Sequence, residues 1–600
     1  MNRITIDGNS AMAHIAYLMN DMAVIYPITP SSPMAEACDD FSTKGITNIF
    51  NNKVRITQMQ SEAGVAGTMH GALSGGALTT TFTSSQGLLL MLPNMYKIAG
   101  ELLPNVIYVS SRSLATHALN IFCDHSDIYS CLNTGYNVIC ATSVQEANDI
   151  AIATQLATID TSLPFICFFD GFRTSHELNT IEQSTKEEIA SIVNMDKIKK
   201  FKSNAMSCYK PYAKGSSQNP DVFFQNRMAC KPYYNQVIQS VKQSLDKTTT
   251  ITNRKYDTIE YYGDTDATDI VVAMGSSIHT LKEAMPYLKG KTGVINIRLL
   301  QPFDEQRFIE LLPKTVKNIT VLERNFNPNG QNPIYSSVVN TIFNNKLKIN
   351  VLSGIYGLGG KEFTPNDAIS VFYNMRTNLT TPFSVGINDD INQNSLTPIQ
   401  LYTEPTDDFN ARIYGLGSDG SVSSAKSIIK ILGEDSYAQG YFDYDSKKSG
   451  SLTVSHIRSS QSPINKPFNS KQVDVVLCNN PSFLKKYNIT SCLQDNGILI
   501  INCAYTSKQL DKAMLNDIKQ DIKNKNLKVY TINADKIALN NNLGNKINNI
   551  MQTALFYTTN TIPYTKALQR ISNNIEIMFA KKGDDVVKNN IAAINLVEKY

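Results

Sequence analysis

Short apolar runs alternate with helical patterns along the whole chain. They include Ala23-Val-Ile-Tyr26, Val106-Ile-Tyr-Val109, Pro164-Phe-Ile-Cys-Phe-Phe169, Ile270-Val-Val-Ala-Met274 and Val294-Ile-Asn-Ile297. Ile319-Thr-Val-Leu322, Val475-Val-Leu477 and Ile498-Leu-Ile-Ile501 continue the series. Strand-like runs interleaved with helices are the signature of parallel α/β architecture, and strands this apolar are expected to be covered on both faces. Two polar stretches interrupt the pattern, Lys247–Lys255 and the segment from Asn388-Asp-Asp-Ile-Asn-Gln-Asn-Ser395 to Asp407-Asp-Phe409. They predict three consecutive α/β domains with mainly parallel sheets, over 1–255, 256–405 and 406–600. No internal repeat is present, and the Asn- and Lys-rich stretch around 516–549 reads as a solvated face.

Composition narrows the class. At 600 residues the chain can bury several cores without a disulfide or metal staple. A hydrophobic fraction of 42% with 18% charged residues is that of a folded chain. The net charge of +4 gives no reason to expect nucleic acid or membrane as a partner. Gly87-Leu-Leu-Leu-Met-Leu-Pro93 falls far short of the roughly 18 apolar residues of a spanning helix. The start, Met1-Asn-Arg-Ile-Thr-Ile-Asp-Gly8, enters a strand-like alternation with no targeting pattern, so a cytoplasmic protein is expected. The ten cysteines form no C-x-x-C pair and no zinc or ferredoxin spacing; they read as buried thiols in a reducing compartment.

Four stretches offer chemistry. In Val24-Ile-Tyr-Pro-Ile-Thr-Pro-Ser-Ser-Pro33 a strand gives way to a proline-stiffened turn, with Ser32 expected as an N-cap and Pro33 as the first helical residue. Thr29 then sits beyond a strand's carboxyl end, either in a structural turn or where open α/β sheets bind ligands. Next, Gln58-Met-Gln-Ser-Glu62 leads into a helix of Ala63, Gly64, Ala66, Gly67, Gly71 and Ala72, which only close packing against a neighbour is expected to stabilise. Glu62 at its start either holds and shares a proton or simply favours the helix dipole. Third, Leu78–Gly87 runs from a Thr-rich strand into an expected loop of small polar residues able to meet an anion. Finally, Arg112 follows another strand, suited to bidentate capture of a small carboxylate or to a surface ion pair.

Together these stretches resemble one family. Ile25-Tyr-Pro-Ile-Thr-Pro-Ser-Ser-Pro33, Met59-Gln-Ser-Glu-Ala-Gly64, Thr79–Met91, Leu114-Ala-Thr-His-Ala-Leu119 and Phe169-Asp-Gly-Phe-Arg-Thr-Ser-His-Glu177 are similar to pyruvate:ferredoxin (flavodoxin) oxidoreductase. The resemblance continues through Pro220–Arg227, Val272-Ala-Met-Gly-Ser276, Arg298-Leu-Leu-Gln-Pro-Phe303 and Tyr356–Pro365. It extends into Tyr414-Gly-Leu-Gly-Ser-Asp-Gly420, Tyr444–Gly450 and Asn548-Asn-Ile-Met-Gln-Thr553, which covers essentially the whole chain.

The resemblance implies a first domain that binds the pyrimidine of thiamine pyrophosphate, a transketolase-C-terminal-like second domain contributing packing rather than chemistry, and a coenzyme-A-associated third domain. It implies oxidative decarboxylation of pyruvate to acetyl-CoA, with electrons leaving through iron-sulfur clusters to ferredoxin or flavodoxin. Glu62 matches the glutamate that hydrogen-bonds the aminopyrimidine. Thr29 and Arg112 match the residues that hold pyruvate. For coenzyme A the matching positions are Ser418, Asp419, Gly420, Ser421 and Val422, then Lys447 or Lys448, Asn548 and Asn590.

The family's remaining parts do not match. There is no ferredoxin-type cysteine cluster and no GDG-plus-Asn segment for the pyrophosphate and its magnesium ion; Gly583-Asp584-Asp585 has aspartate where the last glycine belongs. Cys503-Ala-Tyr505 stands where the family usually has a tryptophan. Magnesium and [4Fe-4S] clusters are therefore expected in a second half of a protein about twice as long, as one chain or as a partner subunit. The resemblance also implies a homodimer, and the isolated chain is expected to be catalytically silent. The same module of a pyruvate:NADP oxidoreductase, or a non-catalytic scaffold paralogue, are the alternatives.

Overall fold

The alternating side chains of the apolar runs settle where the layers lie. The computed structural model describes residues 1–209, 211–405, 407–444 and 451–599. In the strand Phe165–Asp170, Phe165, Cys167 and Phe169 enter one core while Ile166 and Phe168 enter another. Val106 and Tyr108 are divided in the same way from Ile107 and Val109 in the neighbouring strand Val106–Ser111. The sheet is thus covered on both faces, as its composition requires.

The described residues form two compact units, one of residues 1–176, 181–402 and 466–468, the other of 177–180, 403–465 and 469–600. The first contains two seven-stranded sheets. One runs in the order Leu299–Gln301, Asn137–Cys140, Phe165–Asp170, Val106–Ser111, Thr79–Thr83, Met22–Ile25, Arg55–Gln58. All its neighbours are parallel except Leu299–Gln301, which lies antiparallel on Asn137–Cys140. The other sheet is parallel from Ser395–Leu396 through Asp269–Ala273 to Thr292–Ile297 and ends on the antiparallel strand Ile259–Gly263. The two sheets share one core. Ile270, Val272, Ile319 and Val321 of the second belong to the same buried cluster as Ile107 and Phe168 of the first.

The second unit has a mixed sheet. Phe409–Leu416, Val473–Cys478, Leu493–Asn502 and Lys528–Ile532 are parallel, while Leu452–Ser460 and Tyr437–Tyr444 add antiparallel strands. Leu178 of its N-terminal segment pairs antiparallel with Gly440. The helix Ser421–Gly433 covers one face through Ile428, Ile429 and Leu432.

Several local expectations shift. Ser31, not Ser32, stands at the N-cap of the helix Ser32–Thr43, its hydroxyl turned back to the Ile28 carbonyl, and Pro33 is the helix's second residue. The small polar stretch after Thr83 is no open loop: a helix begins at Ser85, with Ser84 at its N-cap position. The polar run from Lys247 is helical to Thr252, because Val241, Leu245 and Thr248 bury a continuous face. Most consequentially, the Gly-rich helix Glu62–Ser74 buries Val65, Ala66, Met69 and Leu73, yet a Cβ added at Gly67 or Gly71 meets nothing within 4 Å. Its expected close packing does not occur on that face among the described residues. Of the cysteines, Cys208 is exposed and Cys230 half-buried, and the other eight are buried.

Candidate functional site

Thr29 lies exposed in the loop that leaves the strand Met22–Ile25. Its neighbour is held from below: buried Asn9 donates to the Pro30 carbonyl at 3.0 Å and accepts from Ser110 Oγ at 2.9 Å. Gly171 permits this approach, since a Cβ there would stand 2.2 Å from the Ser111 carbonyl oxygen and 2.9 Å from Pro30 Cγ. Arg112 begins the loop after Val106–Ser111 and is only 8% exposed. Its Nη1 donates to the Thr29 carbonyl at 2.9 Å and its Nε to the Asn120 carbonyl at 3.0 Å. The structure therefore brings Thr29 and Arg112 together. Burial lowers the Arg112 pKa, and Asp127 opposes that shift.

Glu62 is the first residue of its helix, whose N-cap Ser61 accepts from Gly64 N–H. The carboxylate is buried against the next turn of chain: Oε1 would be 2.5 Å from a Cβ on Gly87, and Thr83 Oγ1 2.8 Å from the same point. Thr83 Oγ1 has no hydrogen-bond partner, and the Glu62 carboxylate accepts no hydrogen bond among the described residues. An unpaired hydroxyl beside an unpaired carboxylate is the donor set that the amine edge of a heterocycle such as an aminopyrimidine requires. Two residues before Gly87, Ser85 donates its N–H to Asp127 Oδ2 at 2.8 Å, and Arg112 N–H meets the same oxygen at 3.0 Å. Asp127, fully buried, thus ties the turn beside Glu62 to the base of Arg112. Burial pushes the Asp127 carboxyl up to about 7, against the N–H groups of Arg112, Ser85 and Ile128.

Behind the Arg112 loop lies a buried charge cluster. Asp170 ends the strand Phe165–Asp170 and sits 2.8 Å from His125 Nε2, 3.1 Å from Arg324 Nη1 and 2.5 Å from Ser276 Oγ. Burial disfavours its charge, but Arg324, His125 and Ser276 more than offset this and hold the carboxyl well below the usual range. Cys123, His125 and Asp170 place one donor atom each within 4.8 Å of one another. The Asp170 carboxylate there is already held by a guanidinium and a hydroxyl. A cavity of about 730 Å³ opens beside the loop, bounded by His117, Asn120, Tyr129 and Phe326.

In the second unit, Ser418 and Gly420 take positive φ, 73° and 85°, to turn the chain into the helix Ser421–Gly433. Asp419 directs its carboxylate inward, accepting from Leu416 N–H and Ser421 N–H, each at 2.7 Å. Asn548 donates to the Asp419 carbonyl at 3.2 Å, and Asn548 and Asn590 line a cavity of about 330 Å³ with Ser423 and Ser424. Val422 is partly buried against the core of this unit. Lys447 and Lys448 lie outside the described residues.

The sequence relates to known proteins along most of its length. A family model described as pyruvate flavodoxin/ferredoxin oxidoreductase, thiamine diphosphate-binding, matches residues 14–245. Pyruvate:ferredoxin oxidoreductase core domain II matches 267–368, and a further pyruvate ferredoxin/flavodoxin oxidoreductase model matches 410–600. The chain is 45% identical to a pyruvate:ferredoxin oxidoreductase of Moorella thermoacetica, over 99% of this chain and 52% of the relative. It is 43% identical to a pyruvate-flavodoxin oxidoreductase of Trichormus variabilis, over 98% and 51%. The chain belongs to the pyruvate:ferredoxin (flavodoxin) oxidoreductase family. A pyruvate dehydrogenase [NADP(+)] of Cryptosporidium parvum is 41% identical over 98% of this chain and 31% of its own length. The chain thus spans about half the length of the first two relatives.

For a chain of the pyruvate:ferredoxin oxidoreductase family, the residues that sequence reading passed over are the supports. Asn9, Asp127, Ser276 and Arg324 are scattered through the sequence: Asn9 and Asp127 lie in the first turns of helices, Ser276 just before a helix and Arg324 just past a strand end. Asp127 lies fifteen residues after Arg112, and no spacing rule reveals that it reaches back to Ser85. No helix among the described residues is long and apolar enough to cross a membrane.

Proposed function

We propose that this chain supplies the pyruvate- and coenzyme-A-binding portion of a pyruvate:ferredoxin (flavodoxin) oxidoreductase, organised as domains 1–255, 256–405 and 406–600. It acts with a second half that carries the iron-sulfur clusters and the pyrophosphate–magnesium site. The observation that carries the reading is the Arg112 guanidinium fixed on the Thr29 loop at the carboxyl edge of a parallel sheet, where α/β sheets take their ligands.

In this reading Thr29 and Arg112 bind the 2-oxoacid. Arg112, tethered through Nη1 and Nε to carbonyl groups, pairs the substrate carboxylate in a fixed orientation. Low exposure strengthens that pairing by excluding water. Thiamine diphosphate, when bound, supplies the carbon centre and electron sink for decarboxylation. Glu62 would share a proton between its carboxyl and the aminopyrimidine nitrogen, and the glycine at 87 lets its carboxylate lie against the chain there. In the third domain, the loop Ser418–Val422, Asn548 and Asn590 hold coenzyme A, with Lys447 or Lys448 toward its phosphates.

Two surfaces support assembly with further chain, including a homodimer. The face of Gly67 and Gly71 is bare, and the helix Pro220–Met228 buries none of its residues while exposing Phe223 and Phe224. Alone, the chain is catalytically silent. The test is pyruvate- and coenzyme-A-dependent reduction of a viologen dye by anaerobically purified protein with the complementary half supplied. Turnover supports the enzyme; silence from well-folded material with thiamine diphosphate and magnesium added supports a scaffold. The similarity to the Cryptosporidium protein keeps an NADP-linked acceptor as the second reading. The identity of the reductant formed by the reconstituted enzyme separates it from ferredoxin or flavodoxin.

A further inference from the structure

The turn Tyr356-Gly-Leu-Gly-Gly-Lys361 has no part in the site described above, yet it meets the loop that carries Arg112. It follows the strand Asn350–Tyr356, whose parallel neighbour Asn318–Glu323 runs out at Arg324. Both strands belong to the second sheet of the first unit. The Arg112 loop leaves the first sheet at Ser111 and doubles back where Ser113 N–H donates to the Phe122 carbonyl at 3.0 Å, with its tip exposed over residues 115–119.

Three contacts pin the returning arm of this loop to the second sheet. Asn120 Nδ2 donates to the Gly359 carbonyl at 3.1 Å, Gly360 N–H to the Cys123 carbonyl at 2.8 Å, and His125 N–H to the Arg324 carbonyl at 2.9 Å. The turn comes this close because it lacks side chains. A Cβ on Gly359 would stand 2.5 Å from Asn120 Nδ2 and one on Gly360 2.5 Å from Phe122 Cβ, and both residues hold positive φ, 57° and 79°. The Asn120 carboxamide has one possible orientation. The Gly359 carbonyl can only accept, and the Phe122 N–H, 2.6 Å from Oδ1, can only donate.

The same residue holds the arginine. Arg112 Nε donates to the Asn120 carbonyl at 3.0 Å and Nη1 to the Thr29 carbonyl at 2.9 Å, while Nη2 donates to no group among the described residues. Two fixed carbonyls thus set the plane of the guanidinium and leave Nη2 for a carboxylate. One of those two carbonyls is placed from the second sheet.

We infer that Asn120 and the Gly359–Gly360 turn are positioning residues for 2-oxoacid binding: they fix the Asn120 carbonyl, and through it the Arg112 guanidinium, without touching the substrate. The inference rests on the reading above in which Arg112 pairs the substrate carboxylate. It gives the second domain, expected from sequence to contribute packing alone, a share in substrate recognition.

The experiment is a double-mutant cycle in the reconstituted enzyme, reading KM and kcat for pyruvate by viologen reduction. Asn120→Ala removes the contact from the loop's side. Gly359→Ala, whose methyl would displace the Asn120 carboxamide, removes it from the second sheet's side, so either variant alone decides. Each is expected to raise the pyruvate KM about three- to tenfold, the range for one hydrogen bond, with kcat and the KM for coenzyme A unchanged. In an Arg112→Ala background the same substitutions add no further rise, since they act only through the arginine. A rise of equal size in both backgrounds, or a fall in kcat with KM unchanged, assigns the contacts to folding and overturns the inference. So does a wild-type KM in the single variants while Arg112→Ala is impaired. A wild-type pyruvate KM in Arg112→Ala overturns the substrate role of Arg112 and the inference with it.

Discussion

The two sides of the first unit's site are built on opposite plans. Around Arg112 almost every polar group is tied down: the side chain to Thr29 and Asn120, the backbone to Asp127, and the loop behind it to the Asp170 cluster. Around Glu62 the polar groups are left open. Its carboxylate accepts nothing among the described residues, Thr83 Oγ1 has no partner, and the outer face of its helix is glycine. The difference separates what a protein prepares from what it leaves to others. An anion pocket needs a charge fixed before the substrate arrives, since preorganisation avoids the cost of ordering it on binding. A cofactor's proton partner needs a free valence, and a helix that packs on further chain needs a bare face.

The contrast is sharpest at Glu62 itself. Glu62→Gln is expected to abolish viologen reduction in the reconstituted enzyme while leaving the melting temperature of the chain unchanged, because no internal hydrogen bond depends on the charge. Wild-type turnover would remove the assigned role. On the tied side the reverse holds. Asp170→Asn leaves Arg324 buried without its counter-charge and is expected to lose about 3–5 kcal/mol of stability in denaturant titrations. The Asp170 carboxyl is held below its ordinary value, so its stabilisation is complete above the unfolded pKa of about 4 and fades as pH falls further. The gap between wild type and Asp170→Asn is therefore full at neutral pH and narrows in acid; a gap that widens in acid breaks the account.

Smaller effects follow. Arg112→Ala is expected to weaken pyruvate use by about 1.5–3 kcal/mol, the range for a lost charge-assisted hydrogen bond, read as a raised KM in the reconstituted enzyme. An unchanged pyruvate dependence excludes Arg112 from the substrate. The smallest effect is at the bare helix face. Gly67→Ala fits open space in the isolated chain and should raise its stability by about 0.5–1 kcal/mol through helix propensity. In the assembled enzyme the same methyl should weaken association if that face is covered. A variant that stabilises both forms equally would show that the face stays open.

Much of this was legible beforehand. The apolar runs named their strands because a strand covered on both faces has no polar side to disguise it, and Phe165–Asp170 divides its residues between two cores as such a strand must. Thr29 and Glu62 were marked by strand-to-helix turns whose local chemistry is written in consecutive residues. The cap at Ser31 and the helix starting at Ser85 were missed by one residue and by one turn respectively. Runs of serine offer several equivalent cap positions, and adjacent residues alone do not choose among them.

The sequence by itself determined the fold class, the strand-end positions of Thr29 and Arg112, and the family. Those properties depend on residues adjacent in the chain and on their periodicity. Only the tertiary structure decided what faces each of them. Asp127 reaching Ser85, Asp170 gathering Ser276 and Arg324, and Gly359 accepting from Asn120 join residues far apart in sequence. Hydrogen-bond orientation is set by the whole network at once. Whether a buried group ends satisfied or open is therefore fixed by the packing around it, and no stretch of sequence carries that information alone.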